Sequence, residues 1–413
     1  MNTVHTEQTR RHDIDWIRIG LFSLLILVHN AIGFTQFGEV IYGYGNAELG
    51  GESLNLFLFF THGWRLPALF IISGMGTCFA FKHRTSMQFV WERLTRLFIP
   101  LLFGSLCINV VHGYFRFISD GGDAPFFHFV VSWWTEPDLN QSEVAGFGIA
   151  QILQRVGHLW FLVNLLIYSL VTLPLFVVFR RYPKNILASM NSIVIRLPRG
   201  IGLLLLFPIP LVLVELLLKP WMPGFIGTGY EFFWYFCFFV IGYLCIAAGE
   251  AYWSSLHKLR FVVPLLACMT TVGLLIFIGI AESIAPGYGQ LLEAGGWVWY
   301  EDSFWNWLSF PMCILHALNA WWWSLTLFAW GAICLNHTSK YLSYMNQAVY
   351  PFYILHITFC LVGLYYVREL PLPWFVKFMM LNGFVFFACW ALFEIFRRTP
   401  VMRVLLGIKP LKK

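Results

Sequence analysis

Long apolar runs alternate with short polar connections along the chain. A helix that crosses the hydrocarbon core of a bilayer needs about 20 predominantly apolar residues, because lipid offers no partner for backbone N–H and C=O groups. Ten runs meet this requirement: Trp16–Phe34, Leu54–Phe81, Leu97–Phe117, His158–Phe179, Ile201–Leu218, Phe232–Ala248, Phe261–Ile280, Trp305–Cys334, Val349–Val367 and Pro373–Phe396. We interpret the long eighth run as one crossing with an interfacial lead-in at Trp305 and Trp307. The pattern predicts an all-α, polytopic integral membrane protein with about ten transmembrane helices.

Charged residues indicate which way the predicted helices cross the membrane. Alternate connections are basic, and their cationic residues are Arg10, Arg11, Lys82, Arg84, Arg93, Arg96, Arg180, Arg181, Lys184, Arg196, Arg199, Lys258, Arg260, Lys340, Arg397, Arg398, Arg403, Lys409, Lys412 and Lys413. The intervening connections carry Glu39, Glu48, Glu52, Asp120, Asp123, Glu136, Asp138, Glu143, Glu282, Glu293, Glu301 and Asp302. Because basic residues favour the cytoplasmic side, both termini are predicted to be cytoplasmic, with residues 1–15 as an N-terminal segment and 398–413 as a basic tail.

The composition argues against an ordinary soluble enzyme and against a nucleic-acid-binding protein. Of the 413 residues, 59% are hydrophobic and 12% are charged, whereas about a quarter of an average soluble domain is charged. The net charge of +6 is spread over short loops, so the lipid bilayer is the expected partner and no nucleic acid is expected. The nine cysteines all fall inside predicted helices without a C-x-x-C pair, which favours core residues and no metal site.

No region has the composition of a separate soluble domain, so residues 1–413 are interpreted as a single membrane domain. The first apolar run is followed by no small-residue cleavage site, and we expect it to remain a helix. The two longest connections, 118–157 and 281–304, are predicted to be extracytoplasmic and are long enough to cover a site.

Two polar residues of the first predicted helix stand in a helical register. Arg18 and His29 are eleven positions apart, which is three turns plus about 20°, so both side chains project from one face. They are about 16 Å apart along the axis. An ionisable group in a membrane is expensive unless it faces protein or water, so this stripe is a functional candidate. The alternative for His29 is a hydrogen bond to a neighbouring carbonyl.

Further polar residues interrupt the predicted helices. They are His62, Arg65 and Ser73 in the second helix, Arg93 and Arg96 at the start of the third, His158 and Trp160 at the start of the fourth, and His316, His356 and Glu394 late in the chain. The histidines and Trp160 also fit packing positions, and Arg93 and Arg96 also fit topology anchors. Arg65 fits a side chain that reaches the interface, and Glu394 is placed to pair with Arg397 or Arg398.

Several of these residues stand in the order and spacing of a known series of motifs. The segments are Arg18-x10-His29, Phe70-Ile71-Ile72-Ser73-Gly74, Arg93-x-x-Arg96-Leu97-Phe98-Ile99-Pro100, His158-Leu159-Trp160-Phe161, Tyr350–His356, and Glu394 with Pro400. Through them the chain resembles the membrane acyltransferase-3 family over nearly its full length. Thr61–Pro67 is similar to the branch that includes glucan succinyltransferases, although Pro67 and Ala68 stand where commoner members carry Val-Asp.

The resemblance implies an acyltransferase that moves an acyl group, acetyl or succinyl, to a hydroxyl of an extracytoplasmic carbohydrate or glucan. The implied donor is cytoplasmic acyl-CoA, with no permanently bound cofactor, and the implied location is the inner (plasma) membrane, as a multi-pass protein. The oligomeric state stays open.

The family's functional residues carry over to matching positions. Arg18, Arg93 and Arg96 are expected to bind the phosphates of CoA by charge-assisted hydrogen bonds. His29 is expected to act as a general base on the acceptor hydroxyl or to carry the acyl group, with Glu394 as the group that orients it. The residues expected to contact the acceptor or an acidic acyl group are His62, Arg65, Ser73, His158 and Trp160.

A transporter or flippase of a glycan or small anion is the main alternative function. In such a protein His29, Arg65 and Glu394 are expected to form a proton or substrate path. Transporters commonly contain inverted repeats with interrupted helices, and the sequence contains no convincing internal repeat.

Overall fold

The computed structural model of the protein describes residues 11–82, 84–135, 155–182, 200–222, 224, 227–284 and 309–408. Within these ranges the regular elements are helices and no β-strand occurs, which confirms the all-α class. The predicted interfacial residues Trp305 and Trp307 lie outside the described residues. So do the charged residues that we placed in the segments 1–10, 136–154, 183–199, 285–308 and 409–413.

Each of the ten predicted apolar runs overlaps at least one described helix. In chain order the described helices are α1 (His12–Ile32), α2 (Phe37–Tyr42), α3 (Gly51–Lys82), α4 (Ser86–Ser119), α5 (Phe126–Thr135), α6 (Trp160–Val171), α7 (Leu173–Arg181), α8 (Ile201–Leu205), α9 (Ile209–Leu217), α10 (Tyr230–Ala247), α11 (Glu250–Leu259), α12 (Val262–Ile284), α13 (Ser309–Cys334), α14 (Leu342–Val367), α15 (Trp374–Phe396) and α16 (Pro400–Leu405). Four short helices, α2, α5, α11 and α16, lie outside the predicted runs. α4 includes two wider π-helical turns, Leu94–Phe98 and Gly104–Ile108.

Many of these helices are suited to a bilayer. In the described part of the chain, seven are long and apolar enough to cross it, and the bent pair α6 and α7, with 45° between them, makes up to eight. A polytopic membrane protein is therefore confirmed. α13 and the shorter apolar stretch Ile201–Leu217 occupy the two other predicted runs. The count of ten and the cytoplasmic side of the termini remain predictions.

Two glycines bring α3 and α10 into close contact. A Cβ atom added to Gly74 would lie 1.9 Å from the carbonyl oxygen of Phe239, and one added to Gly242 would lie 2.1 Å from that of Ile71. Only glycine allows backbones to approach so closely, as is common between membrane helices. The phenyl ring of Phe70 stacks on Tyr235 beside this crossing, with centroids 4.7 Å apart. This packing holds the middle of α3 against α10.

α1 and α14 pack side by side and run in the same direction. Arg18 hydrogen-bonds to Asn346, and the rings of His29 and His356 lie 5.1 Å apart. The polar residues of α1 and α14 therefore meet in pairs at two levels. We call the level of Arg18 the basic end, which also holds the start of α14 and the end of α15, where Tyr344 contacts Glu394.

The segment between α1 and α3 folds over the other end of α1. The backbone N–H groups of Asn46 and Gly50 donate to the carbonyls of Gly33 and Phe34, at 2.8 Å each. The hydroxyl of Tyr44 donates to the carbonyl of Leu361 in α14, also at 2.8 Å. These bonds hold α2 and its last residue, Tyr42, against the end of α1.

Candidate active site

His29 lies in the last turn of α1 and is half-buried. The hydroxyl of Tyr42 donates to the main-chain carbonyl of His29 at 2.9 Å, and its oxygen lies 3.1 Å from the Nδ1 atom of the same residue. Because the phenol has one proton and the carbonyl only accepts, Nδ1 carries the proton of the ring and Nε2 keeps a free lone pair. Burial raises the pKa of Tyr42 well above its usual value, so the phenol stays protonated.

Three further histidines extend from His29 into the protein. The ring of His356 lies 5.1 Å from that of His29, and the ring of His158 lies 5.3 Å from that of His356. His112 continues the series, with its ring 6.2 Å from that of His158. The four residues come from α1, α14, the turn before α6, and α4, so tertiary packing alone brings them together.

Arg65 is a buried cation beside this cluster. Its side chain is 4% exposed, and its Nε and Nη1 atoms have no hydrogen-bond partner among the described residues. Its charge acts on His29, His356 and His62. A buried charge without a partner is costly, so Arg65 is suited to an anion that arrives with a substrate. His62, one turn earlier on α3, is exposed.

Arg18 is held in place at the basic end. Its guanidinium donates to the carboxylate of Asp15 at 3.1 Å and to the side-chain oxygen of Asn346 on α14. Arg18 and His29 therefore both face α14, one beside Asn346 and the other beside His356. Asn346 and His356 are ten positions apart, which corresponds to about 15 Å along α14 and is nearly the same as the distance between Arg18 and His29 along α1.

Arg93 and Arg96 reach the same part of α14. Arg96 pairs with Glu92 at 3.0 Å, whereas Arg93 donates to the hydroxyl of Thr77 at 3.4 Å and lies over the Phe89 ring. Among the described residues Arg93 has no carboxylate partner, and its Nε is buried without a hydrogen bond.

The hydroxyl of Tyr350 on α14 is likewise buried without a hydrogen bond in the described part of the chain. The charges of Arg93 and Arg96 act on this hydroxyl. With Arg18 they form a three-arginine group around the first turns of α14, which we call the arginine cluster.

Glu394 does not reach His29, which corrects the expectation that it orients the imidazole. Its carboxylate accepts from Tyr344 at 2.6 Å and from Arg397 at 2.9 Å, at the basic end. His29 is at the opposite end of α1, and Tyr42 occupies the position of the orienting group. Glu394 thus follows the alternative that paired it with the basic residues after α15.

Ser73 and Trp160 belong to the packing of the helices. The hydroxyl of Ser73 donates to the carbonyl of Leu69 in its own helix at 2.8 Å, so this donor is already used. Trp160 lies among aromatic rings, 5.5 Å from Tyr235 and 6.2 Å from Phe70. Their predicted contact with substrate has no support from this geometry, and that segment of α3 instead brings Gly74 against α10.

A second group of buried ionisable residues lies apart from His29. The carboxylate of Glu215 accepts from Nζ of Lys219 at 2.9 Å and bonds to Nδ1 of His316 at 2.6 Å. All three side chains are at least nine-tenths buried, and the Trp234 ring stacks on His316 at 5.1 Å. We call this group the Glu215 triad.

Sequence reasoning missed four residues of the site: Tyr42, His112, Asn346 and Tyr350. Asn346 and Tyr350 precede or begin a predicted apolar run, and His112 lies inside another, so each carried a weak polar signal. Tyr42 follows the first helix by ten residues in a connection, and no periodicity links it to His29.

The nine cysteines carry free thiols. Among the described residues, no group of three or more His, Cys, Asp or Glu side chains is arranged to hold a metal ion.

Comparison with known proteins identifies the family of the chain. The acyltransferase-3 profile, described as "Acyltransferase domain", matches residues 11–394. The chain belongs to the acyltransferase-3 family. It is therefore an acyltransferase, and the helices make it a multi-pass membrane enzyme. The comparisons found no matching curated protein and no matching solved structure.

The matched range has both parts of the candidate site within it. The arginine cluster and the histidines around His29 all lie inside residues 11–394. The family match supports acyl transfer and does not distinguish the glucan succinyltransferase branch, which remains a prediction.

Proposed function

We propose that this acyltransferase moves an acyl group from cytoplasmic acyl-CoA to a hydroxyl of an extracytoplasmic carbohydrate. The observation that carries the proposal is the pairing of α1 with α14. Arg18 meets Asn346 at the basic end, and His29 meets His356 about 15 Å further along. A donor with a polyanionic head, a long arm and a terminal thioester matches this separation of cations from imidazole.

On the donor side, the basic end is assigned to the cytoplasm. Among the described residues, Arg93 is the arginine of the cluster that has no carboxylate partner, and its Nε is buried without a hydrogen bond, so it is the first candidate for a CoA phosphate. Arg18 and Arg96 already bond to Asp15 and Glu92, and a phosphate adds to or replaces those carboxylates. The buried hydroxyl of Tyr350 supplies a further donor beside them.

At the thioester, His29 supplies the reactive nitrogen. Its Nδ1–H donates to Tyr42, which leaves the Nε2 lone pair available to take the proton of the acceptor hydroxyl or to attack the acyl carbon. The Tyr42 oxygen stabilises the positive charge that the ring acquires in either route. Tyr42 thereby fixes the tautomer that both routes require.

For the acyl group, Arg65 favours succinyl over acetyl. A succinyl group ends in a carboxylate, which would satisfy the unpaired Nε and Nη1 atoms beside His29. An acetyl group leaves the same cation buried without a partner. We therefore propose an acidic acyl donor such as succinyl-CoA and, on the other side, an acceptor hydroxyl of a glucan in the space outside the inner (plasma) membrane.

Labelled donors test this proposal in membranes that contain the enzyme. Membranes containing the wild type are expected to transfer the label from succinyl-CoA to an added glucan faster than from acetyl-CoA. His29→Asn retains a side-chain N–H but lacks the basic nitrogen, and we expect transfer to fall by at least about 100-fold. His257→Asn, at an exposed position on α11, is the matched control and is expected to retain full transfer.

The same experiment separates transfer from transport. Normal transfer by a folded His29→Asn protein would refute the proposed chemistry. Movement of unmodified glucan or free succinate across vesicles, without formation of an ester, would favour the transporter alternative.

A further inference from the structure

Two buried histidines beside His29 each have one nitrogen without a partner. Nδ1 of His356 lies 2.8 Å from the carbonyl oxygen of Tyr353, and Nε2 of His158 lies 3.3 Å from that of Ile354. A carbonyl only accepts, so each of these nitrogens carries the proton. Nε2 of His356 and Nδ1 of His158 then hold lone pairs, and both atoms are buried without a hydrogen bond among the described residues.

His356 is the one of this pair that is next to His29. Its side chain is fully buried, and the rings of His29 and His356 are 5.1 Å apart, whereas no ring contact joins His29 to His158 in the described structure. An unpaired acceptor in the protein interior is unfavourable. Packing alone does not explain why a basic nitrogen is kept at this position. A role in accepting a proton during the reaction at His29 does explain it.

We propose that His356 is the catalytic base for the acceptor hydroxyl and that His29 carries the acyl group as an acyl-imidazole; this rests on the function proposed above. Once Nε2 of His29 is acylated, its Nδ1 is protonated and bonded to Tyr42. His29 then has no free lone pair to receive the proton of the hydroxyl. A second base close to His29 is required, and the ring of His356, 5.1 Å away, has a free basic nitrogen.

The two half-reactions balance. In the first, Nε2 of His29 attacks the thioester carbon, the C–S bond breaks, and CoA leaves as the thiolate. In the second, the hydroxyl oxygen attacks the acyl carbon while its proton moves to Nε2 of His356. The C–N bond breaks and its electron pair returns to His29. The proton on His356 passes to the thiolate, so the products are the ester and CoA thiol.

The hydrogen bonds of His356 suit this task. Its protonated ring keeps the Nδ1–H bond to the carbonyl oxygen of Tyr353, and that of Phe352 lies 3.2 Å away. Two carbonyl dipoles therefore stabilise the cation that forms. Arg65 acts in the opposite direction, because its charge also reaches His356. A dicarboxylic acyl group bound to Arg65 would remove that repulsion at the moment of transfer.

The test is His356→Asn, which retains an amide N–H near the position of Nδ1 and removes the basic nitrogen. We expect its steady-state transfer to fall by about 100-fold or more. With labelled succinyl-CoA and no acceptor, the variant is expected to accumulate label on residue 29, located by peptide mass spectrometry. His29→Asn is expected to accumulate none. His257→Asn, at an exposed position on α11 outside the histidine cluster, is the matched control and is expected to transfer normally.

Two results would overturn the proposal. One is transfer by a folded His356→Asn protein at the wild-type rate, which would make His356 a packing residue. The other is the absence of label on His29 in acid-quenched wild-type enzyme during turnover, a measurement that needs no variant to fold. Both presume that the wild type transfers label from acyl-CoA to glucan, so a failure of the proposed function is seen first and separately.

Discussion

Two groups of ionisable residues in this enzyme, the Glu215 triad and the histidines around His29, differ in how their polar atoms are satisfied. In the Glu215 triad, a carboxylate bonds to both His316 and Lys219, at 2.6 and 2.9 Å. Around His29, the described residues supply carbonyls and one phenol, and the basic nitrogens of His356 and His158 are left without partners. A closed network stabilises a fold, whereas an open one has capacity for a ligand or a proton.

Two buried cations, Lys219 and Arg65, differ in the same way. Lys219 is 1% exposed and paired with Glu215, and its ammonium lies 4.9 Å from the Tyr230 ring. Arg65 is 4% exposed, and two of its nitrogens have no partner in the described structure. The first arrangement is complete in the protein alone. The second becomes complete only with an anion, which is the physical reason to place substrate at Arg65.

The largest effect is expected in the closed network. Glu215→Ala leaves Lys219 and His316 buried without their carboxylate, and the free energy of unfolding should fall by about 3–5 kcal/mol. SDS titration of the protein in mixed micelles measures this change. Replacing Glu215, Lys219 and His316 together by leucine or methionine should recover most of the loss. A loss below about 1 kcal/mol for Glu215→Ala would mean that the triad is not the closed network described here.

The next largest effect is expected at Arg65, beside His29. Arg65→Met removes a cation that has no counterion among the described residues and keeps an unbranched apolar side chain, so the stability should hold or improve. Transfer from succinyl-CoA should fall by about 10- to 100-fold, as expected for losing hydrogen bonds to a charged group. Acetyl-CoA serves as the control donor and should be little affected. An equal loss with both donors would contradict a role for Arg65 in binding the acyl carboxylate.

A smaller effect is expected at the hydroxyl that orients His29. Tyr42→Phe removes the oxygen that accepts from Nδ1, and kcat should fall by about 5- to 10-fold, the value of one hydrogen bond. Tyr44→Phe removes a hydroxyl from the same segment that bonds to Leu361 instead, and kcat should not change. If the two variants lose equal activity, the segment acts through its fold and not through the tautomer of His29.

The smallest effect is expected at Glu394. Its partner Arg397 is 35% exposed, and surface pairs of this kind contribute about 0–1 kcal/mol. Glu394→Gln should therefore change the initial rate by less than about threefold. A tenfold decrease measured under the same conditions would restore Glu394 as a group that acts on the reaction.

The fold and the main stripe of the site could be predicted from the sequence because both depend on local periodicity. Apolar runs of sufficient length form helices in lipid, and positions eleven apart share a face. The sequence therefore predicts that Arg18 and His29 share one face of α1, and in the structure that face packs against α14.

The rest depended on tertiary packing. Tyr42 reaches His29 only because residues 33–50 fold back over α1. His356 matters because α14 runs beside α1, which no spacing in the chain reveals. The prediction that Glu394 orients His29 was wrong for the same reason. The order of motifs in the sequence does not show that α15 places Glu394 at the basic end, beside Tyr344 and Arg397.

The most direct test of the account is sided acyl transfer in proteoliposomes with glucan inside and the basic end of the enzyme outside. Labelled succinyl-CoA added to the outside should yield succinylated glucan inside the vesicles with the wild type, and none with His29→Asn. Label that reaches the inner glucan with His29→Asn, or only when the donor is sealed inside with it, would contradict delivery of the thioester from the arginine cluster to His29.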